Sequence, residues 1–283
     1  MVGIYWYKNL WRVSINTNTY FLTTTKIGFE LHHPLFDALI LKQGAQLIHF
    51  QPKGEMPLLW SASLSTYEKG KAFRGGIPLC WPWFGKVGSP AHGFARIVEW
   101  NLVNHTETKE GVTLVFELCD SPQTRTLWPY AFLVRLEMRL GRDVTLSLHV
   151  DAKSESTAAL HTYFACQNSE EVVIFGLGNS YKDTLNNGMS CESQSEILYI
   201  NQAIDRIYTQ PETKTSFQEN NRTITISHVN HSDVVVWNPW KKGAEKLTDM
   251  QNDDYKQMLC IETARISKPL STYDHLEVTI AIS

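Results

Sequence analysis

The sequence predicts an all-β fold, a large antiparallel β-sandwich with few short helices. Three observations lead there. Apolar residues recur with period two, helical periodicity is nearly absent, and clusters of Gly, Pro, Asn and Asp cut the chain into many short segments. With 283 residues the chain is long enough to bury a large core.

Taken in order, residues 39–50 and 112–118 are the first strand candidates. Val134, Leu136, Met138 and Leu140 then line one face while Arg135, Glu137 and Arg139 line the other. After the turn Gly141-Arg142-Asp143, the alternation returns in Val144, Leu146, Leu148 and Val150. Such alternation marks antiparallel strands packed on one side and wet on the other. Shorter candidates follow at 158–166, 172–177, 223–229, 233–237 and 257–264, and Leu276, Val278, Ile280 and Ile282 close the series. Short helical turns are expected near 59–69 and around 249–256. No linker, low-complexity tract or internal repeat interrupts the pattern, so the expectation is one domain over 1–283, with two packed sheets sharing a core.

Composition narrows the function. A net charge of −3, with 19% charged residues and no Lys/Arg run longer than two, argues against nucleic acid as a partner. Any anion site must be local, built from a few arginines. Five cysteines, odd in number and without a CxxC pair, favour reduced and mostly buried thiols in a cytoplasmic protein. Residues 1–15 lack the apolar core and cleavage site of a signal peptide, and no stretch approaches 18 consecutive apolar residues, so no membrane span is expected. The sequons at Asn104, Asn221 and Asn230 would matter only in a secreted protein and are read as chance.

The most unusual stretch is FRGGIPLCWPWFGKVGSPAHGFAR, residues 73–96. It holds five glycines, three prolines, two tryptophans and three phenylalanines, with Arg74 and Arg96 near its ends. Gly75-Gly76 permits backbone angles closed to other residues, and the prolines forbid a continuous helix or central strand. A long loop of this kind in a compact domain usually serves a site. Aromatic faces beside Arg and His suit a polar ring compound carrying negative charge; the plainer account is a loop packed on its own aromatics.

Other candidates carry less. Gly176-Leu-Gly178 resembles the start of a dinucleotide fingerprint, but no helix or βαβ pattern follows, and a tight turn accounts for it better. His228 and His231 are closely spaced without a third ligand, which fits surface polar residues rather than a metal site. His32-His33 precedes Pro34 and reads as a loop. Two ionisable groups lie in strongly apolar settings: His161 in LHTYF and Glu262 in LCIETA. Read singly, either also fits a polar residue on the solvent side of its strand. Read together, a His and a Glu on separate strands near an Arg-bearing loop form a general acid/base pair.

FRGGIPLCWPWFG, AHGFAR, LHTYF, AIDRIY, VVVWNPW and LCIETA, in this order, closely resemble the hexose-6-phosphate mutarotases of the aldose 1-epimerase (galactose mutarotase-like) superfamily. The similarity spans about 41–277. It implies an antiparallel "supersandwich" with its active site in a cleft on one sheet. It further implies interconversion of the α and β anomers of a small-molecule hexose 6-phosphate without cofactor or metal. The chain itself is read as a monomer. Carried over residue by residue, the resemblance makes His161 the general acid and Glu262 the general base. It has Arg74 and Arg96 hold the phosphate, and His92 and Asp205 line the sugar. Glu262 would be ionised and His161 charged, each favouring the other's charge from across the ring. Trp237-Asn238-Pro239-Trp240 reads as a structural turn. After Phe84-Gly85 the loop is shorter than in relatives, leaving Lys86 as either a phosphate contact or a solvent-facing residue. A non-catalytic carbohydrate-binding module is the alternative on the same fold. A lyase or glycosidase of the superfamily would usually need a further helical domain.

Overall fold

A computed structural model describes residues 21–283. The 1–15 stretch lies outside the described residues, as does the start of the span read as one domain. Every ladder between the named strands is antiparallel. One large sheet runs, in spatial order, Ile197–Tyr199, Val173–Phe175, Lys214–Glu219, Arg222–Val229, Asp274–Ile282, Val144–Ala152, Phe132–Leu140, Val112–Cys119 and Asn101–Glu107. A second runs Met189–Glu192, Ser180–Asp183, Ile204–Tyr208, Asp233–Asn238, Met258–Leu270, Ser156–Leu160 and Leu79–Cys80, with Tyr163–Ala165 also paired to Met258–Leu270. The sequence did not foresee a third, smaller sheet: Leu22–Thr24, Gly28–His32, Phe36–Leu41 and Gln46–Pro52.

The alternation of the sequence is obeyed residue by residue. Val134, Leu136, Met138 and Leu140 are buried, while Arg135 and Arg139 point outward into ion pairs with Glu117 and with Glu137 and Glu277. One buried cluster collects Phe116, Leu146 and Val278 from the first sheet, Leu160, Val236 and Ile261 from the second, and Phe36 and Phe50 from the third. Burying such surfaces is the main source of stability in a sandwich.

Several expectations need correction. Residues 39–50 are two strands joined at Lys42–Ala45, where Gly44 (φ 76°) and Ala45 (φ 42°) turn the chain. Residues 158–166 are also two strands, interrupted at His161-Thr162. No helix forms over 59–69, and the second expected turn shrinks to a 3-10 turn at Asp254–Gln257. Among the described residues the α-helices are Pro122–Leu127, begun by a Ser121/Thr124 capping box with Pro at its first position, and Trp240–Ala244. Each is shorter than two turns, too short to print a 3.6-residue period. His228 is not a surface residue. It is buried, its Nε2 bonded to Thr215 Oγ1 (2.8 Å) and its Nδ1 to Thr263 Oγ1 (2.7 Å), so it ties a strand of one large sheet to a strand of the other. Burial drives its pKa down to about 3, and it stays neutral.

Candidate active site

Period two in Met258–Leu270 sends Leu259 and Ile261 into the main core and turns Cys260, Glu262 and Ala264 to the other face of the sheet. The register continues this face across neighbouring strands. Val235 lies opposite Glu262, and Trp237 is opposite both Asp205 and Cys260. On the other side Leu160 pairs with Thr263 and Tyr163 with Cys260. His161, in the gap between those ladders, therefore falls opposite Glu262. The solvent-facing account of these two residues fails for a specific reason. Their face does point away from the main core, but the 73–96 loop covers it.

His161 Nε2 lies 3.2 Å from Glu262 Oε1, with side chains 9% and 1% exposed. The backbone N–H of His161 donates to the Pro78 carbonyl (3.1 Å), tying His161 to the loop. The Tyr163 ring stacks on the imidazole (centroids 4.7 Å, 11°), while His92 (5.9 Å, 70°) and Trp237 (6.5 Å, 68°) meet it edge-on. His161 Nδ1 and Glu262 Oε2 are buried and unpartnered among the described residues. Buried polar atoms are nearly always paired, so both atoms are open to a further hydrogen-bond partner.

The loop splits into an anchor and a working part. Trp81 and Phe94 are fully buried, packed on Phe132, and Trp81 Nε1 donates to Ser156 Oγ (3.0 Å). These rings are core and cannot stack on a sugar, so that part of the aromatic argument is corrected. Between them the chain carries His92 with φ 63° and Gly93 with φ 72°. A Cβ on Gly93 would sit 2.0 Å from the Trp81 carbonyl oxygen, so only glycine lets the turn carrying His92 come so close. His92 is held by Phe84 edge-on (5.0 Å) and by its own backbone N–H donating to the Gly85 carbonyl (2.6 Å).

Arg74 and Arg96 occupy different settings. Arg74 Nε donates to Asp249 Oδ1 (2.8 Å), and Nη1 to the Tyr163 hydroxyl (3.3 Å). Gln46 Nε2 grips the backbone on either side of it, donating to the Phe73 (3.1 Å) and Gly75 (2.7 Å) carbonyls. Arg96 Nη2 donates to the Ala91 carbonyl (2.9 Å), and its Nε is buried without a partner among the described residues. Asp205 is half-buried on the Glu262 face of the sheet, and its carbonyl accepts from Thr184 Oγ1 (2.9 Å). Lys86 is exposed, yet close enough for its charge to act on His92 and Asp205.

Electrostatics modify the expectation of two opposite charges. Burial, then His92, Arg96 and Arg74, hold the His161 imidazole well below its ordinary pKa. Burial, reinforced by Asp205 and opposed by Arg96, holds the Glu262 carboxyl well above its own. His92 is pushed down to about 4 by burial and by Arg96, Lys86 and Arg74, and is neutral near pH 7. The touching pair thus shares one proton with little net charge, rather than standing as a separated ion pair. An imidazolium formed here is a strong acid and a carboxylate formed here a strong base, as moving protons between two oxygens on one carbon would need. Nor need the two groups straddle a ring. The anomeric hydroxyl and the ring oxygen of a pyranose are bonded to the same carbon, so neighbouring donor and acceptor reach both.

The structure brings His161, Glu262 and His92 into contact, attaches Arg74 through Tyr163, and places Asp205 on the same face. Tyr163, Trp237 and Asp249 were missed. Tyr163 lies two residues after His161, and period two could have found it. Trp237 belonged to the motif read as a turn. That reading holds for Asn238, whose side chain bonds Tyr255, Met258 and Trp240 backbone, but Trp237 faces the imidazole. Asp249 lies 175 residues from Arg74 and gave no sequence signal.

The aldose 1-epimerase family model matches residues 29–276. The chain belongs to the aldose 1-epimerase family. A relative from Escherichia coli K12, provisionally named glucose-6-phosphate 1-epimerase, is 37% identical over 83% of this chain and 82% of its own. One of the same provisional name from the grass Cenchrus ciliaris is 32% identical over 83% and 76%. Among solved structures, a protein from Salmonella typhimurium provisionally described as a mutarotase superposes with a TM-score of 0.92. It is 33% identical and 96% of each chain is covered. Members of this epimerase family share the β-sandwich seen here, and the site described above lies within the matched residues.

Proposed function

We propose that this chain is a hexose-6-phosphate 1-epimerase, interconverting α and β anomers of sugars such as glucose 6-phosphate. The supporting observation is the buried His161–Glu262 contact on a sheet face flanked by Arg74 and Arg96. The provisional glucose-6-phosphate 1-epimerase name of the Escherichia coli relative supports the same reading. Glu262 removes the proton of the anomeric hydroxyl while His161 protonates the ring oxygen. Rotation about C1–C2 presents the other aldehyde face, and the two groups act in reverse to close the ring. His92 and Asp205 contact the sugar, and Arg74 and Arg96 hold the phosphate. The proton transfers balance without an electron carrier, and each positioned group contributes about 10²–10⁴-fold, roughly 3–5 kcal/mol. A carbohydrate-binding module has no use for a buried acid/base pair and is the weaker reading. We read the chain as one cytoplasmic domain acting as a monomer, which gel filtration with light scattering checks. Among the described residues no helix is long and apolar enough to cross a membrane.

The proposal is tested by following anomer exchange of glucose 6-phosphate by polarimetry or NMR. No acceleration over buffer would end it. Phosphate recognition has its own signature. Arg–phosphate bonds are worth about 1.5–3 kcal/mol each, so Arg96→Ala raises KM for glucose 6-phosphate roughly 10–100-fold and leaves KM for glucose far less affected. Equal effects on both sugars would remove Arg96 from the phosphate site.

A further inference from the structure

Asp249 lies in a turn after the helix Trp240–Ala244, 175 residues from Arg74 in sequence, yet its carboxylate accepts from Arg74 Nε at 2.8 Å. The pair is neither deep nor fully exposed, with side chains 21% (Arg74) and 32% (Asp249) exposed. A carboxylate at a site that admits a phosphorylated sugar repels the ligand, so its presence calls for a compensating role. The geometry supplies one. Asp249 takes Nε, and the Tyr163 hydroxyl takes an Nη1 proton at 3.3 Å. Two fixed bonds on one planar group leave the guanidinium a single orientation, with Nη2 and the second Nη1 proton unpartnered among the described residues. Tyr163 in turn stacks on His161, which references Arg74 to the reacting end of the site. Around the backbone, the Gln46 bonds to Phe73 and Gly75 and the close approach of Gly75 to Ser61 (2.3 Å from an added Cβ) leave little other play. A long arginine side chain would otherwise lose rotamer freedom on each binding event.

We propose that Asp249 is a positioning residue. By fixing the fork of Arg74 against Tyr163, it sets how strongly the site prefers a phosphorylated hexose to the unphosphorylated one. This rests on the epimerase reading above. The test measures the ratio of KM for glucose to KM for glucose 6-phosphate in wild type, Asp249→Ala and Asp249→Asn, with folding checked by thermal melting. Asn keeps an acceptor oxygen but loses the charge. Ala loses both.

Positioning predicts that the ratio falls about tenfold in Asp249→Ala, the loss of roughly one charge-assisted hydrogen bond, and by less in Asp249→Asn. A ratio that rises in both variants would show that Asp249 acts only as a repelling charge, and an unmoved ratio would show that it does nothing. Either overturns the proposal. Should Asp249→Ala fail to fold, Asp249→Ser, too short to reach Nε, replaces it with the same expectation. If the wild type exchanges no anomers, the epimerase reading falls and Asp249 is read by calorimetric titration with inorganic phosphate. About tenfold weaker binding in Asp249→Ala sustains the positioning role. Equal affinity, or no wild-type phosphate binding, overturns it.

Discussion

Glu262→Gln slows anomer exchange of glucose 6-phosphate by about 10²–10⁴-fold while the protein stays folded. Gln has the same volume, so no cavity opens, and it can still hydrogen-bond His161 Nε2 across the 3.2 Å contact. What it cannot do is take a proton. Its second amide atom stands where Oε2, unpartnered among the described residues, stands now, and no new charge is buried, so the melting temperature is expected to hold. The residual rate carries a sign. With the base gone, activity depends on protonated His161, whose pKa is held below 6.5 by burial and by His92, Arg96 and Arg74. Residual exchange therefore falls as pH rises through that lowered value. A Gln variant as fast as wild type in NMR exchange would remove Glu262 from the mechanism.

His161→Asn gives a loss of similar size, about 10²–10⁴-fold, with the opposite pH signature. Only the base remains, and its carboxyl is held above 4.5 by burial and by the nearby Asp205 charge, against Arg96. Residual exchange rises as pH climbs through that raised value and does not fall again on the alkaline side. The wild type, needing exactly one proton on the pair, shows a bell whose two limbs belong to the pair rather than to either residue. Lowering His161 moves the acid limb to lower pH, and raising Glu262 moves the alkaline limb to higher pH, so the plateau is broad. Wild-type exchange in the Asn variant, or two variant profiles sloping the same way, would sink the assignment of acid and base.

The fold was legible because period two survives wherever a strand has one face on the core. Phe132–Leu140, Val144–Ala152 and Asp274–Ile282 were read to within two residues at each end. Strands without a clean apolar stripe were not. Asn101–Glu107 is exposed along nearly its whole length, and Met189–Glu192 lies at a sheet edge, so neither prints an alternation. The small helices were lost for want of length. In the site, His161 and Glu262 stood out because a titratable group in an apolar run is costly unless something uses it.

By itself, the sequence determined the antiparallel architecture, the odd loop at 73–96 and the two titratable groups, His161 and Glu262, set in apolar runs. All of these are written in local patterns of a few residues. Only the tertiary structure decided that His161 and Glu262 touch, that Trp81 and Phe94 serve the core rather than the ligand, that His228 bridges the sheets, and that Asp249 holds Arg74. Each of those depends on which strands become neighbours and in what register. That is fixed by how the whole core closes, and no short stretch of chain contains it.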